Sequence, residues 1–381
     1  MTTEETSTSF WDRVGVSEAD RLRCLDAVQA RYTGWTVQEL GDQGYCSLTL
    51  LIRDARERQG SDAQSSDADV HQSQARLRIV QIRPARYALD MSIARAAKNT
   101  YPSLAPFIRS LDLGIAGQLC AYEMQRMNGT PLARVLPRYR VIDSALQRKQ
   151  ERLTESFVAA VAQGLKTAQL KDRSSRADSP MEDAQSMLSR CTGKVGSSIV
   201  SRLEKLGHEL PISQLRNIAR DTLAHIKTMD DYPIVLNHGD LIPSNILVDE
   251  DTWGITGLVD WAEAEYLPFG TCLYGLEHLL GYMSQTGGSS NSNDSSASTC
   301  KNIQNFVYYE NSSQLRELFW RRLFSLVPGL RCREDDVRMM RRLGILLWYG
   351  FAWDDGAIDR VVNDVDDPVE TDCLRAFLDV E

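Results

Sequence analysis

The pattern of hydrophobic and polar positions changes about one third of the way along the chain. Before that point, short runs rich in β-favouring residues predict strands. Trp35 to Ile52 has the pattern of a strand, a glycine-bearing turn and a returning strand, and further strands are predicted over Leu77–Arg83 and Leu119–Met124. Apolar residues recur at helical spacing from Leu89 to Ala97. This first part is therefore predicted to be mostly β, with one helix.

Beyond this part, the apolar residues recur mainly with the helical period, as from Leu153 to Leu165, from Leu215 to Ile226 and from Leu343 to Trp348. The polar stretch Lys171–Glu182 is predicted to be a surface loop. Two short apolar runs, 245–248 and 255–259, flank an acidic turn and predict a β-hairpin.

Two segments contain few large apolar residues. Residues 58–74 are rich in Ser, Asp, Gln and Ala, and residues 287–299 read GGSSNSNDSSAST, so both are predicted to be mobile. The patterns together predict an α+β protein with three parts. We expect a helical N-terminal extension over 1–34, a small β-rich lobe over 35–127, and a larger, mostly α-helical lobe over 128–381.

Composition and charge exclude several classes of partner and site. The 381 residues carry 43 Lys and Arg against 52 Asp and Glu, a net charge of -9 that argues against a nucleic-acid backbone as partner. The eight cysteines are scattered without a C-x-x-C pair, so neither a zinc site nor a disulfide framework is indicated. The polar, acidic start and the absence of a long apolar stretch argue against a signal peptide and a membrane span. We therefore expect a cytoplasmic location.

The most informative segment reads LNHGDLIPSNILV over 236–248 and is followed by Val-Asp-Trp over 259–261. Phosphoryl transfer requires a carboxylate at the acceptor hydroxyl and oxygen ligands for the magnesium ion that bridges the phosphates. Asp240, Asn245 and Asp260 supply these groups. Asp240 and Asn245 lie on one short loop, and Asp260 follows the return strand of the predicted hairpin.

The pattern H-G-D-x-x-x-x-N with a downstream Asp resembles the aminoglycoside phosphotransferase and choline kinase family, which is related to the protein kinases. The wording NHGDLIPSNILVD, ITGLVDWAEAEYLPFG and LLWYGFAWDDGAIDRVV is similar to a fungal phosphotransferase-like branch. The resemblance extends over about residues 35–379 and implies a two-lobed, protein-kinase-like fold that uses ATP and Mg²⁺. By the resemblance, Asp240 is the catalytic base, Asn245 and Asp260 bind Mg²⁺, and His238 stabilises the backbone of the loop.

The nucleotide-binding half of the pattern departs from the family. Where kinases have a strand lysine for the α- and β-phosphates, this chain has Arg83, which offers a bidentate fork of different shape. Pairing of Arg83 with a surface carboxylate remains an alternative. The usual glutamate of the following helix is missing, and Asp90 is preferred over Ser92 as its replacement because it carries charge.

Gly41 and Gly44 mark a turn that is predicted to lie over the phosphates. The residues predicted to contact them there are Gly44, Tyr45, Cys46 and Ser47. Met124 and Arg126 fall where relatives have the linker that contacts adenine. A simple edge strand is the alternative for that segment.

The sequence contains little information about the molecule that accepts the phosphoryl group. Four acidic residues lie near aromatic ones, and such a mixture suits a cationic amine. They are Glu263, Glu265, Asp354 and Asp355, near Trp261, Tyr266, Trp348 and Trp353. A solvated acidic surface over core aromatics is the favoured alternative. Of the four, Glu263 is retained as a substrate-side candidate.

The sequence thus predicts a small-molecule kinase that moves the γ-phosphoryl group of ATP to a hydroxyl. A protein acceptor is disfavoured because the chain lacks the A-P-E signature of protein kinases. Two alternatives stay open. One is a catalytically silent nucleotide-binding or scaffold protein. The other is an enzyme of specialised metabolism that phosphorylates a hydroxyl to activate it for elimination or cyclisation.

Overall fold

The computed structural model describes residues 10–41, 43–54, 77–114, 119–178, 186–286 and 303–380. The predicted mobile segments 58–74 and 287–299 lie outside these ranges. The chain divides into two compact units, Met1–Met127 and Asn128–Glu381. The first is built around an antiparallel sheet and the second is mostly helical, so the predicted α+β class is confirmed.

The first unit contains a five-stranded antiparallel sheet in the order β1-β2-β3-β5-β4. Its strands are β1 Trp35–Glu39, β2 Leu48–Asp54, β3 Leu77–Pro84, β4 Ile108–Leu111 and β5 Leu119–Gln125. The predicted strands are all present, and β1 pairs with β2 from Trp35↔Asp54 to Glu39↔Leu50. The sequence analysis missed β4 because its four residues include the polar pair Arg109 and Ser110.

Three helices accompany this sheet: α1 Phe10–Val14, α2 Glu18–Arg31 and α3 Met91–Thr100. The first two pack on one face of the sheet and share a hydrophobic core with it. The core comprises Phe10, Trp11, Cys24, Val28, Leu48, Leu50, Ile52, Val80, Ile82, Leu111 and Ala121. Since side chains alternate between the faces of a strand, Arg83 and Gln81 lie on the opposite face from Ile82. The described part of the N-terminal extension is helical and belongs to the core of the first unit.

The second unit contains nine α-helices within the described ranges. They are α4 Leu132–Val135, α5 Ser144–Asp178, α6 Gly193–Gly196, α7 Ile199–Glu209, α8 Ser213–Ile226, α9 Tyr274–Leu279, α10 Ser312–Leu326, α11 Glu334–Tyr349 and α12 Pro368–Phe377. Short 3-10 turns lie at Ala85–Tyr87 in the first unit and at Met187–Arg190, Thr271–Leu273, Pro328–Arg333 and Asp354–Gly356 in the second. The predicted loop over Lys171–Glu182 is wrong in its first part, because α5 continues to Asp178. Residues 171–178 read KDRSSRAD and have no apolar stripe, so the helical period that the prediction required gives no signal there. The remainder, 179–185, lies outside the described ranges.

The strands of the second unit form small antiparallel sheets. They are β6 Thr130–Pro131, β7 Ile234–Asn237, β8 Ile246–Val248, β9 Ile255–Leu258, β10 Glu265–Pro268, β11 Gly281–Thr286 and β12 Ile303–Tyr308. The order is β6-β8-β9 in one sheet, and β7 pairs with β10 and β11 with β12. The predicted hairpin is confirmed as β8 and β9.

A fully buried carboxylate, Glu277, connects several elements of the second unit. It accepts hydrogen bonds from the hydroxyl of Tyr308 (2.7 Å), from Arg316 (2.7 Å) and from Arg341 (2.6 Å). Arg341 also donates to the carbonyl of Phe377 at 3.0 Å. The cluster therefore ties α9, β12, α10, α11 and the end of α12 together.

Among the helices of the described ranges, none is long and apolar enough to cross a membrane.

Candidate functional site

The loop that carries Asp240 begins at the end of β7. The side chain of Asn237, the last residue of β7, is buried and donates to the carbonyls of Val235 and Leu267, both at 3.1 Å. Its Oδ1 accepts the backbone N–H of Cys272 at 3.0 Å. The start of the loop is therefore fixed by three hydrogen bonds of one amide.

Gly239 forms the sharp turn between this strand and Asp240. Its φ is +80°, a region that L side chains rarely adopt, and a Cβ built there would lie 2.0 Å from the carbonyl oxygen of Glu263. Only glycine allows this approach. The backbone at Glu263, whose side chain is half-buried, therefore packs directly against the turn before Asp240.

The amide of Asn245 closes the loop onto Asp240. Its Nδ2 donates to the carbonyl of Asp240 at 3.0 Å and to the carboxylate Oδ2 at 2.7 Å. Among the described residues, Oδ1 of Asp240 is buried without a hydrogen-bond partner. One carboxylate oxygen is thus held in place, and the other has no donor among the residues that the structure describes.

The hairpin brings Asp260 to the same end as Asn245. Ile246 of β8 pairs with Leu258 of β9, and the N–H of Val259 donates to the carbonyl of Asn245 at 3.0 Å. Asp260 itself is exposed and adopts φ +61°, which is uncommon for a residue other than glycine. The sequence separation of 15 residues between the two side chains is bridged by strand pairing.

The charge of Asp260 acts on the carboxyl of Asp240. Burial first, and then the negative charge of Asp260, raise the pKa of Asp240 to about 7, against the opposing effect of the hydrogen bond from Asn245. Asn245 Oδ1 and the Asp260 carboxylate are hard oxygen donors of the kind that Mg²⁺ binds together with substrate phosphates. Within the described ranges, no group of three or more His, Cys, Asp and Glu side chains has the arrangement of a metal site made by the protein alone.

His238 contacts the loop backbone. It is buried, its Nδ1 accepts the N–H of Asp240 at 3.3 Å, and its ring lies 4.4 Å from that of Trp261. Burial lowers the pKa of His238 to about 4, so the ring is neutral at physiological pH.

Tyr274, the first residue of α9, holds the loop from outside, and the sequence analysis missed it. Its hydroxyl oxygen accepts the N–H of Leu241 at 2.7 Å, and its ring stacks on Trp348 with centroids 4.9 Å apart. Burial and the charge of Asp240 raise the pKa of Tyr274 far above its ordinary value, so the hydroxyl stays protonated. A tyrosine 33 residues beyond the loop carries no signal in the sequence that assigns it to Leu241.

Two of the four acidic residues considered for the acceptor are occupied by other contacts. Glu265 accepts the N–H groups of Val195 and Gly196 at the start of α6, the shorter bond being 2.8 Å. Asp354 pairs with Arg360 at 2.8 Å. These two carboxylates therefore have structural roles, in line with the alternative of an acidic surface.

In the first unit, Arg83 lies on β3 and is only 3 % exposed. Its Nε donates to Oε1 of Gln81 at 3.1 Å. The burial of Arg83 argues against the alternative that it pairs with a carboxylate at the surface. Replacement of Arg83 will affect packing as well as any phosphate contact.

Asp90 has a structural role at the start of α3. It is the N-cap of α3, where its Oδ1 accepts the N–H groups of Ser92 (2.7 Å) and Ile93 (3.3 Å) and the hydroxyl of Ser92. These bonds lower the pKa of Asp90. Asp90 therefore caps the helix through Oδ1, and its replacement of the helix glutamate stays a prediction.

The turn predicted to contact phosphates connects β1 and β2. Gly44 and Tyr45 are exposed, Cys46 is half-buried and the side chain of Ser47 is buried. The side chain of Gln43 fixes the turn, because its amide donates to the carbonyls of Leu40 (2.6 Å) and Thr49 (2.9 Å) and accepts the N–H of Thr49 at 2.6 Å.

Of the two residues predicted to contact adenine, Met124 lies within β5 and Arg126 lies beyond its end. Met124 lies inside the sheet, opposite Ile79 of β3 and Ile108 of β4, so its backbone belongs to the ladder. This placement argues against the adenine contact proposed for Met124, because an inner strand uses its N–H and C=O groups for its neighbours. Arg126 follows the end of β5 and is exposed, so an adenine contact from Arg126 stays a prediction.

Comparison with solved structures gives similarities at low sequence identity. A macrolide 2'-phosphotransferase of type I is 15% identical, with 90% of this chain and 94% of that chain covered and a TM-score of 0.49. A macrolide 2'-phosphotransferase from Brachybacterium faecium is 16% identical over 86% of this chain and 89% of that chain, with a TM-score of 0.43. An aminoglycoside phosphotransferase from Streptomyces rimosus, in complex with ADP and streptomycin, is 16% identical over 86% and 99%, with a TM-score of 0.42. No curated protein matches the chain.

The comparison with protein families is decisive. A sequence profile described as the phosphotransferase enzyme family, APH, matches residues 68–271, which is more than half of the chain. The match contains Asp240, Asn245 and Asp260. The resemblance stated from the sequence is confirmed at the level of the family, while the fungal branch stays a prediction. The chain belongs to the phosphotransferase enzyme family.

Proposed function

We propose that the protein transfers the γ-phosphoryl group of ATP to a hydroxyl of a small molecule, with Asp240 as the proton acceptor. The observation that carries the proposal is the hydrogen bonding of the two carboxylate oxygens of Asp240. Asn245 holds Oδ2 at 2.7 Å, while Oδ1 is buried without a partner among the described residues. A buried carboxylate oxygen with no donor is costly unless a ligand supplies one, and an acceptor hydroxyl is such a donor.

The surrounding residues support this role by fixing the loop. Gly239 allows the turn, His238 holds the N–H of Asp240, and Tyr274 holds the N–H of Leu241. Placement of a reacting hydroxyl accounts for a large part of phosphoryl-transfer catalysis, so a rigid loop is the form that the reaction requires.

Asn245 and Asp260 are the residues that would hold Mg²⁺. Because the amide nitrogen of Asn245 faces Asp240, its carbonyl oxygen is the atom that can bind a cation. Bound there, Mg²⁺ would neutralise charge on the phosphates. Arg83 and the turn at Gly44–Ser47 are proposed as phosphate contacts from the first unit.

Two isosteric variants test the proposal, because a base and a metal ligand fail differently. Asp240→Asn should bind Mg–ATP and lose about 10²–10⁴-fold in transfer rate, the usual contribution of a general base. Asp260→Asn should lose metal affinity first, so its rate should rise with added Mg²⁺ while that of Asp240→Asn does not. The exposed Asp251→Asn, in the turn of the same hairpin, is the matched control and should behave as the wild type.

The measurements are nucleotide affinity and initial rate across a magnesium titration. The acceptor is first sought by incubating the protein with small-molecule extracts and ATP that carries a labelled γ-phosphate. Nucleotide binding should also raise the melting temperature according to RT ln(1 + [L]/Kd). Wild-type turnover in both variants contradicts the assigned roles. Nucleotide binding without transfer to any acceptor favours the catalytically silent alternative.

A further inference from the structure

An arginine of the first helix reaches the turn between β1 and β2. Nη2 of Arg13 lies 3.3 Å from the carbonyl oxygen of Gly44 and 3.4 Å from that of Tyr45, and donates to both. The same guanidinium lies over the ring of Tyr45, 5.1 Å from its centroid. One side chain thus contacts two successive peptides and the aromatic ring between them.

The helix that carries Arg13 is anchored in the core beneath the turn. Phe10 and Trp11 are 4 % and 6 % exposed and pack edge to face, with ring centroids 5.2 Å apart. They belong to the same core as Leu48, the first residue of β2. Arg13 therefore reaches the turn from a base that is fixed to the strand following it.

The contacts with two carbonyls determine the direction of the neighbouring N–H groups. In a planar trans peptide, the C=O of one residue and the N–H of the next point in opposite directions. Since the carbonyls of Gly44 and Tyr45 point toward Arg13, the N–H groups of Tyr45 and Cys46 point to the other side of the turn. Successive N–H groups with a common direction form a concave site that suits an anion.

We propose that Arg13 is a positioning residue for the nucleotide phosphates, which orients the N–H groups of Tyr45 and Cys46 toward them by holding the carbonyls of Gly44 and Tyr45. This inference rests on the proposed function and adds the N-terminal helix to the nucleotide site. Both Arg13 and the turn precede residue 68, where the match to the family begins. The contact of Arg13 with the turn therefore lies outside the part of the chain that matches the family.

The test compares Arg13→Met with the control Arg23→Met. Arg23 is an exposed arginine of α2 that pairs with Asp20, so the control removes the same charge from the same region. Because charge-assisted bonds at an exposed site are weakened by water, we expect Arg13→Met to lower ATP affinity by about tenfold. Adenosine affinity, which involves no phosphate, should not change. Calorimetry with ATP and adenosine measures both quantities, and the melting temperature monitors folding.

A second variant keeps the test decisive if Arg13→Met does not fold. Arg13→Lys retains the charge but lacks the planar fork, so its ATP affinity should fall by about threefold. An ATP affinity equal to that of Arg23→Met in a folded Arg13 variant overturns the inference. An equal loss of ATP and adenosine affinity also overturns it, because the helix then only stabilises the fold. Failure of the wild type to bind ATP instead overturns the proposed function.

Discussion

At the scale of single residues, one of the contacts of Arg83 is with a neutral side chain, Gln81. Its Nε donates to Gln81 at 3.1 Å, and Nε2 of Gln81 donates to the hydroxyl of Thr49 at 3.3 Å. Thr49 and Gln81 lie opposite each other in the pairing of β2 with β3. A neutral partner orients a guanidinium without itself cancelling its charge, which suits an arginine that contacts phosphate.

We expect Gln81→Met to weaken ATP binding by about fivefold, because Arg83 loses an acceptor that orients it. Gln81→Glu keeps an acceptor at the same place and should retain more of the affinity. Gln38→Met makes the same chemical change at an exposed position of β1 and is the control. ATP titrations of the three variants measure the effect. Equal ATP affinities of Gln81→Met and Gln38→Met would show that Gln81 does not contribute to phosphate binding.

The residues of the candidate site differ in how far the sequence reveals them. Asp240, Asn245 and Asp260 are predictable because a short loop and one hairpin bring them together, and both elements are encoded locally. Arg13 and Tyr274 are not, because their contacts join positions 31 or more residues apart. Such contacts depend on how separate helices pack, and no spacing in the sequence reports this.

At the scale of elements, β11 and β12 form an antiparallel hairpin that is paired along the full length of both strands. The register runs from Gly281↔Tyr308 to Thr286↔Ile303. The base is fixed where the N–H of Tyr309 donates to the carbonyl of Leu280 at 2.9 Å, and the N–H of Phe306 donates to Asp372 at 2.6 Å. The hairpin therefore has its own anchors on the rest of the second unit.

Removal of Gly288–Ser298 should leave the fold and nucleotide binding intact. Shortening the connection between Thr286 and Ile303 lowers the entropy cost of closing it, which should stabilise the protein by about 1 kcal/mol. Thermal unfolding and ATP titration measure the outcome. A variant in which the same eleven positions are Gly and Ser controls for their sequence at constant length. A marked fall in melting temperature for the deletion would show that these residues contribute packing.

The elements were predictable where the local sequence has a strong bias. The apolar runs of β2, β3 and β5 and the hairpin of β8 and β9 have this bias, and the structure contains all of them. The polar end of α5 and the short strand β4 lack an apolar stripe or run. The polar end of α5 continues a helix that begins at Ser144, and β4 is held by its pairing with β5.

At the scale of the whole molecule, stability should depend on pH through Glu277. Burial alone would raise the pKa of this carboxyl, but Arg341, Arg316 and the hydroxyl of Tyr308 together hold the pKa below its ordinary value. A carboxyl with a lowered folded-state pKa contributes stability above its unfolded pKa, and this contribution is lost as the pH falls through the folded value.

Glu277→Gln should therefore lower the free energy of unfolding at pH 7 by about 3 kcal/mol, because two arginines lose a buried charged partner. The difference from the wild type should begin to shrink below about pH 4, where Glu277 of the unfolded chain takes up a proton, and should continue to shrink as the pH falls through the lower folded-state pKa. Glu155→Gln, which breaks an exposed pair with Arg322, is the control and should cost less than about 1 kcal/mol. Urea unfolding between pH 3 and 8 measures each value. A difference that is independent of pH would contradict the assigned charge state.

The core shared by α1, α2 and the sheet begins at a different point of the chain from the similarity to the family. Similarity to the family begins at residue 68, whereas the strands β1 and β2 and the residues Phe10 and Trp11 precede it. A fragment cut at the start of the similarity would leave Val80 and Ile82 as the face of a sheet with no cover and with an open edge at β3. The segment that matches the family therefore begins after the first residues that build the core of this unit. In this protein, the part of the chain before the match supplies two helices and two strands to the first unit, so a fragment meant to fold has to include them.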